Sequence, residues 1–295
     1  MSRLLKSTVV ACCTVAAAAW ALPPDYRVDE LYQTRWTVRE GVPTGIAAMA
    51  QTPDGFLWIG APGGLFRFDG VAFERISSAD GVPLLTQDIY SLNVSADGAL
   101  WIGHHLGGIS RLHRGKLVNY GPAQGLPRSS VTALSEDGDG TPWAGTTRGL
   151  FRLDQGRWSP VNAAWDIPAD PIDELVLDRD RTLWVMSNSR VYRLAPGARR
   201  FERLALTVPD SNFFTLTRHP DGSAMICGAQ RVIRLTTSAL PTAPASAPAS
   251  APASMPASVP AWVDRPVQIG ENRCGFDRNG SLWFGGVDRG GRFPP

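Results

Sequence analysis

The stretch DGFLWIGAPGGLFRFDG, residues 54–70, decides the fold because the chain repeats it. It returns as DGALWIGHHLGGISRL from Asp97 and as DGTPWAGTTRGLFRLD from Asp139. It weakens to DRTLWVMSNSRVYRL from Asp180 and DGSAMICGAQRVIRL from Asp221, and a last copy, NGSLWFGG, begins at Asn279. The anchors are Trp58, Trp101, Trp143, Trp184, Met225 and Trp283, at steps of 43, 42, 41, 41 and 58. A fixed period of this length marks a chain built from repeated supersecondary units.

One unit resolves into four short strands. In the first, Ile46 to Ala50 is small and apolar, Asp54-Gly55 turns the chain, and Phe56 to Gly60 is the second strand. Residues 62–64 turn it into Leu65 to Phe68, and Asp69-Gly70 turns it again into Val71 to Ile76. Asp-Gly between apolar runs is a hairpin signal, because Gly, and less easily Asp, tolerates positive φ. Helical periodicity is absent, so the unit reads as an all-β meander. A single meander cannot bury both of its faces, whereas a ring of them can. The predicted fold is a β-propeller of four-stranded antiparallel blades, five blades and a partial sixth, read as part of a seven-bladed ring. A compact six-bladed ring is the alternative.

In this reading the tryptophans are packing residues between blades. The glycine two positions on (Gly60, Gly103, Gly145) permits close backbone approach. Trp-Asp and paired-glycine signatures of other propeller repeats are missing.

The pattern D-G-x-L-W-x-G, then G-L-x-R, then Phe68-Asp69-Gly70, is joined to the next unit by a Gly-x-Pro element. These elements are Gly41-Val42-Pro43, Gly81-Val82-Pro83 and Gly125-Leu126-Pro127. The whole resembles the two-component regulator propeller repeat. The opening YQTRWTVREGVP, residues 32–43, is similar to the start of such sensors, and the likeness runs from about Leu31 to Gly286. It implies the periplasmic sensor region of a hybrid histidine kinase or diguanylate cyclase receptor. It also implies a chain that is an N-terminal fragment of the whole, because no kinase or cyclase motif is present.

The N-terminus supports export. Arg3 and Lys6 precede a small and apolar run from Ser7 to Ala19, and Ala19-Trp20-Ala21 fits a signal-peptide cleavage site. The run is short for a membrane span, so no span is expected beyond the signal peptide, and the localisation is read as periplasmic. Cleavage leaves 27 basic against 27 acidic residues, and nucleic acid is not an expected partner, since binding it needs a basic face. Expected partners are an unknown small molecule or saccharide, and a second copy of the receptor. After cleavage two cysteines remain, Cys227 and Cys274. They fall on neighbouring repeats, and a disulfide between them is permitted by the compartment. The domain reading is signal peptide 1–21, blades 22–240, a Pro/Ala/Ser-rich disordered insert 241–261 and a partial blade 262–295. Leu31 to Val38 reads as an outer strand that would close the ring.

No nucleophile elbow, phosphate loop, metal-binding helix or paired-carboxylate motif occurs, so neither cofactor, metal nor catalytic residue is assigned. The chain is read as not an enzyme. In this topology the Asp-Gly turns lie on one face. The second-to-third turns and the connections between units lie on the other, around the channel mouth. The mouth loops vary most, and loops on a rigid scaffold commonly bind ligands. The candidate binding residues are His104, His105, Arg148, Gln87 and Arg128. Two alternatives to a ligand sensor remain open: an exported propeller enzyme acting on polysaccharide (a lyase or glycosidase), and a protein-interaction propeller.

Overall fold

The computed structural model describes residues 36–207, 215–227 and 232–236, and the strand backbone at 273–276, 282–285 and 290–293. The first blade comprises β1 (Ala48–Gln51), β2 (Leu57–Ala61), β3 (Gly64–Phe68) and β4 (Phe73–Ile76). A two-stranded ribbon follows, β5 (Ser78–Ala79) with β6 (Val82–Pro83). The second blade is β7 (Ile89–Val94), β8 (Leu100–His104), β9 (Gly108–His113) and β10 (Lys116–Tyr120). The third is β11 (Val131–Glu136), β12 (Pro142–Thr146), β13 (Gly149–Asp154) and β14 (Arg157–Val161). The fourth is β15 (Glu174–Leu177), β16 (Leu183–Ser187), β17 (Arg190–Leu194) and β18 (Glu202–Thr207). The fifth shows β19 (Thr215–Arg218), β20 (Ala224–Cys227) and β21 (Val232–Leu235).

Within each blade successive strands pair antiparallel in sequence order. The first strands stand side by side, β1 by β7, β7 by β11, β11 by β15 and β15 by β19. That order makes them the inner wall of a β-propeller, as the repeat predicts. The backbone of β22 (Arg273–Phe276), β23 (Leu282–Gly285) and β24 (Gly290–Phe293) forms one more antiparallel sheet, with β22 beside β19. The expected signal peptide and the 241–261 insert lie outside the described residues. So does the side chain of Cys274, so the permitted disulfide to the buried Cys227 falls outside them too.

The Asp-Gly turn has one geometry in five blades. Gly55 N–H donates to Thr52 O at 2.9 Å and Thr52 N–H to Phe56 O at 3.1 Å; the same pair of bonds recurs at Ser95, Asp137, Asp178 and His219. Each is a type I turn closed by a residue in the left-handed region, a three-residue hairpin loop. That last residue is glycine in four blades, with φ of 93° at Gly55, and Arg181 at φ 63° in the fourth. The residue that starts the turn also meets the tryptophan six positions on. Trp58 Nε1 donates to Thr52 Oγ1 at 2.9 Å, Trp143 to Asp137 Oδ2 at 2.9 Å, and Trp184 to Asp178 Oδ2 at 2.7 Å. In the second blade this bond is not made: Ser95 Oγ is engaged with Asp97 and Ala99, and Trp101 Nε1 is buried without a partner among the described residues.

Packing between blades uses two further repeat positions. Trp58 clusters with Leu84, Trp101 with Leu126, and Trp143 with Ile167. Leu84, which follows Pro83, and Leu126 and Ile167, which precede Pro127 and Pro168, are therefore wedges between blades, with Asp166-Ile167-Pro168 as the fourth-blade form of the connecting element. The glycine after each tryptophan faces the next inner strand. A Cβ at Gly60 would lie 2.6 Å from Ile89, at Gly103 2.8 Å from Val131, and at Gly145 2.6 Å from Ile172. Any side chain at these three positions would push neighbouring blades apart.

One element differs from expectation. Of the strand read over Leu31 to Val38, residues 36 and 37 are not strand, and Val38–Glu40 is a 3-10 turn capped by Thr37. Thr37 N–H donates to Glu40 Oε2 at 2.6 Å and Arg39 N–H to Thr37 Oγ1 at 3.2 Å. This local pairing outcompetes an extended ladder.

Candidate functional site

The channel mouth is built from the ends of the second strands, the starts of the inner strands and the connections between blades. Ile89, Val131 and Ile172 plug the preceding blades, and the next residue, Tyr90, Thr132 or Asp173, therefore points to the other face of its sheet at the mouth end of the inner strand. Tyr90 is exposed, and its ring stacks on His105 with centroids 6.0 Å apart and planes at 24°. His105 follows β8 directly. Its backbone N–H donates to Asp88 O at 2.9 Å, and its Nδ1 lies 2.9 Å from Ser130 Oγ. With Nδ1–H donating to Ser130 Oγ, His105, an exposed residue, keeps an Nε2 lone pair that has no partner among the described residues. Blades two and three thus hold one imidazole from three directions.

A second polar group sits at the fourth blade. Asp173 is exposed, and its Oδ2 accepts the Asn188 backbone N–H at 3.0 Å. Crowding by the surrounding chain raises its carboxyl above the usual range, with the Asn188 bond opposing. Asn188 and Ser189 both hold positive φ, 46° and 62°, in the tight turn from β16 to β17. Beside it Arg190 pairs with Asp170 at 3.3 Å. Thr132 is not available to a ligand through its hydroxyl, which donates to Ile172 O at 2.6 Å and ties blade three to blade four.

The five predicted residues fare differently. His105, Arg148 and Arg128 lie at the mouth, and neither arginine makes an ion pair among the described residues. Gln87 is half-buried against Gly64 of the first blade, and its Oε1 is buried without a hydrogen-bond partner. His104 requires correction. It is not a loop residue; it ends β8 and is fully buried. Ser110 Oγ donates to Asn119 Oδ1 at 2.7 Å and so accepts from His104 Nε2 at 2.8 Å. Thr86 Oγ1 then donates to His104 Nδ1 at 3.2 Å. Desolvation lowers its pKa to about 4, with a hydrogen bond to the Thr86 backbone opposing. His104 is a neutral, doubly satisfied core residue.

The sequence reading missed Tyr90, Ser130 and Asp173. Tyr90 and Asp173 share one repeat position, just after the β-branched residue that faces the preceding blade, and Ser130 stands just before that residue in the third blade; residue type at both positions changes from blade to blade. Among the described residues no group of three or more His, Cys, Asp or Glu could hold a metal ion. No helix among them is long and apolar enough to cross a membrane.

Comparison with known proteins supports the architecture. No family model matches the chain, and no curated protein matches it. Among solved structures, it is similar to a domain described as the extracellular part of a hybrid two component system from B. thetaiotaomicron. The TM-score is 0.64 at 14% identity, covering 88% of this chain and 35% of that one. The chain thus spans about a third of the length of that protein. Virginiamycin B lyase from Staphylococcus aureus matches with TM-score 0.58 and 15% identity over 85% of both chains. An ancestral GH74 enzyme matches with TM-score 0.56 and 12% identity, over 85% of this chain and 36% of its own. At these identities the likeness shows the fold.

The lyase and the GH74 enzyme correct the expectation that the chain is not an enzyme. This fold serves enzymes as well as the extracellular domain of a two component system, since loops around a channel can carry acids and bases as readily as binding groups. The lack of a linear catalytic motif therefore does not exclude catalysis, because such groups would come from different blades.

Proposed function

We propose that the chain is the ligand-binding propeller of an exported receptor of the two-component type, with the ligand seated at the channel mouth. One observation carries this reading. The packing positions repeat from blade to blade, whereas the mouth positions differ in every blade, and His105 is held there by Tyr90 and Ser130. Fixed packing with variable, supported mouth groups is the arrangement that selective binding needs. The propeller-repeat phrase and the similarity to the two-component domain support the receptor context, and the basic-then-apolar N-terminus supports export. The ligand class in this reading is a small molecule or saccharide.

The test is a dose–response of the intact receptor beside a thermal melt for each variant. His105→Ala should weaken the response at least about tenfold, the loss of one or two hydrogen bonds and a stacked face, with the melt near wild type. Arg148→Ala should do the same. Normal responses from both variants would sink this reading.

A second reading has its own observation. His105, oriented through Nδ1 with Nε2 facing the mouth, is placed as a proton acceptor, and the lyase match spans comparable lengths of both chains. Polysaccharide cleavage by the exported chain, abolished by His105→Ala, would favour the enzyme over the sensor.

A further inference from the structure

The fourth blade breaks the repeat at one place. Between the third and fourth strands, blades two and three use two-residue turns, Arg114-Gly115 and Gln155-Gly156, with positive φ at both residues. Blade four instead inserts residues 195–201 between β17 and β18. This loop is anchored. Ala198 N–H donates to Ala195 O at 3.0 Å, Phe201 N–H to Trp165 O at 2.7 Å, and Arg200 pairs with Asp166 at 3.3 Å. Trp165 and Phe201 both meet the Trp143 ring edge-on, at 5.6 and 5.7 Å.

The loop encloses a cavity of about 300 Å³ against the Asp137–Asp139 turn and the end of β13. It lies on the outer rim of blades three and four, on the side of the Asp-Gly turns. Insertions in single repeats of an array map to loops on one face, often the one that binds. Most charges here are committed. Asp137 accepts from Trp143 Nε1 and from the backbone of Asp139 and Thr141, Arg152 donates to Thr141 Oγ1, and Asp139 pairs with Arg181. Asp154 and Arg199, exposed side chains that line the same cavity, make no hydrogen bond or ion pair among the described residues.

A ligand of single charge would meet one attractive and one repulsive group. A ligand bearing both signs meets two attractive ones, and half-buried Trp165 with exposed Pro196 offers an apolar group a surface beside them. The volume is at the lower end of small-ligand sites. We infer that this rim cavity binds a free α-amino acid with an apolar side chain, its carboxylate on Arg199 and its ammonium on Asp154. The site is separate from the channel mouth and does not depend on the function proposed for it.

Calorimetric titration of the full chain with L-leucine and L-tryptophan tests this, with isobutylamine, isovalerate and glucose as probes of one sign or none. The expected result is saturable binding of an amino acid, with each control at least about tenfold weaker. Asp154→Asn and Arg199→Gln should each weaken binding about tenfold, with unliganded melting unchanged, and His105→Ala at the mouth should leave it intact. Three results would overturn the inference: no binding of either amino acid, binding that survives both substitutions, or a control that binds as well. Loss of binding with His105→Ala but not with the rim variants would move the site to the mouth and overturn it too.

Discussion

At the scale of single residues, His104 shows how the same repeat position serves packing in one blade and polarity in another. His104 ends a strand where blades one, three and four place Ala61, Thr146 and Ser187, so a larger polar ring is accommodated in the core and bonded through both nitrogens. Its folded pKa of about 4 lies below the ordinary 6.5. Between those values the unfolded chain binds a proton that the folded chain refuses. Stability is therefore fully present above about pH 6.5 and falls by about 1.4 kcal/mol per pH unit as acid is added toward pH 4. Urea melts of wild type and His104→Gln across this window should show that slope in wild type and its loss in the variant. Equal slopes would mean that the buried imidazole titrates freely. The tryptophans were legible as core from their period alone. Their indole acceptors were not, because the partner six residues earlier changes among Thr, Asp and Asp. Asp178→Ala leaves the Trp184 N–H buried without a partner and should cost about 1–3 kcal/mol, read from the denaturation midpoint.

At the scale of elements, blade existence, strand order and the Asp-Gly turns were readable in the sequence, since Asp-Gly between apolar runs marks them locally. The opening segment was not. Thr37 and Glu40 sit three apart and form a capping pair, a short-range competitor that a strand-like composition hides. The wedge role of Leu84, Leu126 and Ile167 was also hidden, because a Gly-x-Pro motif announces a turn and gives no sign of what the residue beside its proline touches. Two measurements probe this level. Gln155 opens a two-residue hairpin at φ 46° with no side-chain hydrogen bond. Gln155→Asn, better suited to positive φ, should raise stability by roughly 0.5 kcal/mol. Gly145→Ala places a methyl 2.6 Å from Ile172 Cγ2 and should cost about 1–3 kcal/mol by overpacking. A neutral result there would mean that the third and fourth blades are not in register as described.

At the scale of the whole molecule, function is a property of what the repeat leaves free. Packing claims the tryptophan, the glycine after it, the wedge and the first residue of each inner strand. What remains variable is the mouth, where Tyr90, His105 and Ser130 come from two blades and three elements, and the rim loop of blade four. This is why the fold could be read from one phrase while the site could not. Its members are distant in sequence and are joined only by the ring. His104 and His105 make the point, since adjacent residues face opposite ways, one into the core and one to the mouth. The central claim is that a ligand occupies that mouth. Once a ligand is found by screening the chain for thermal stabilisation, hydrogen-exchange mass spectrometry with and without it gives the most direct test. The account predicts added protection at residues 86–90, 104–107, 128–132 and 171–174, with the Asp-Gly turns at 53–55, 96–98 and 138–140 unchanged. Protection confined to those turns, with the mouth segments unaltered, would contradict it.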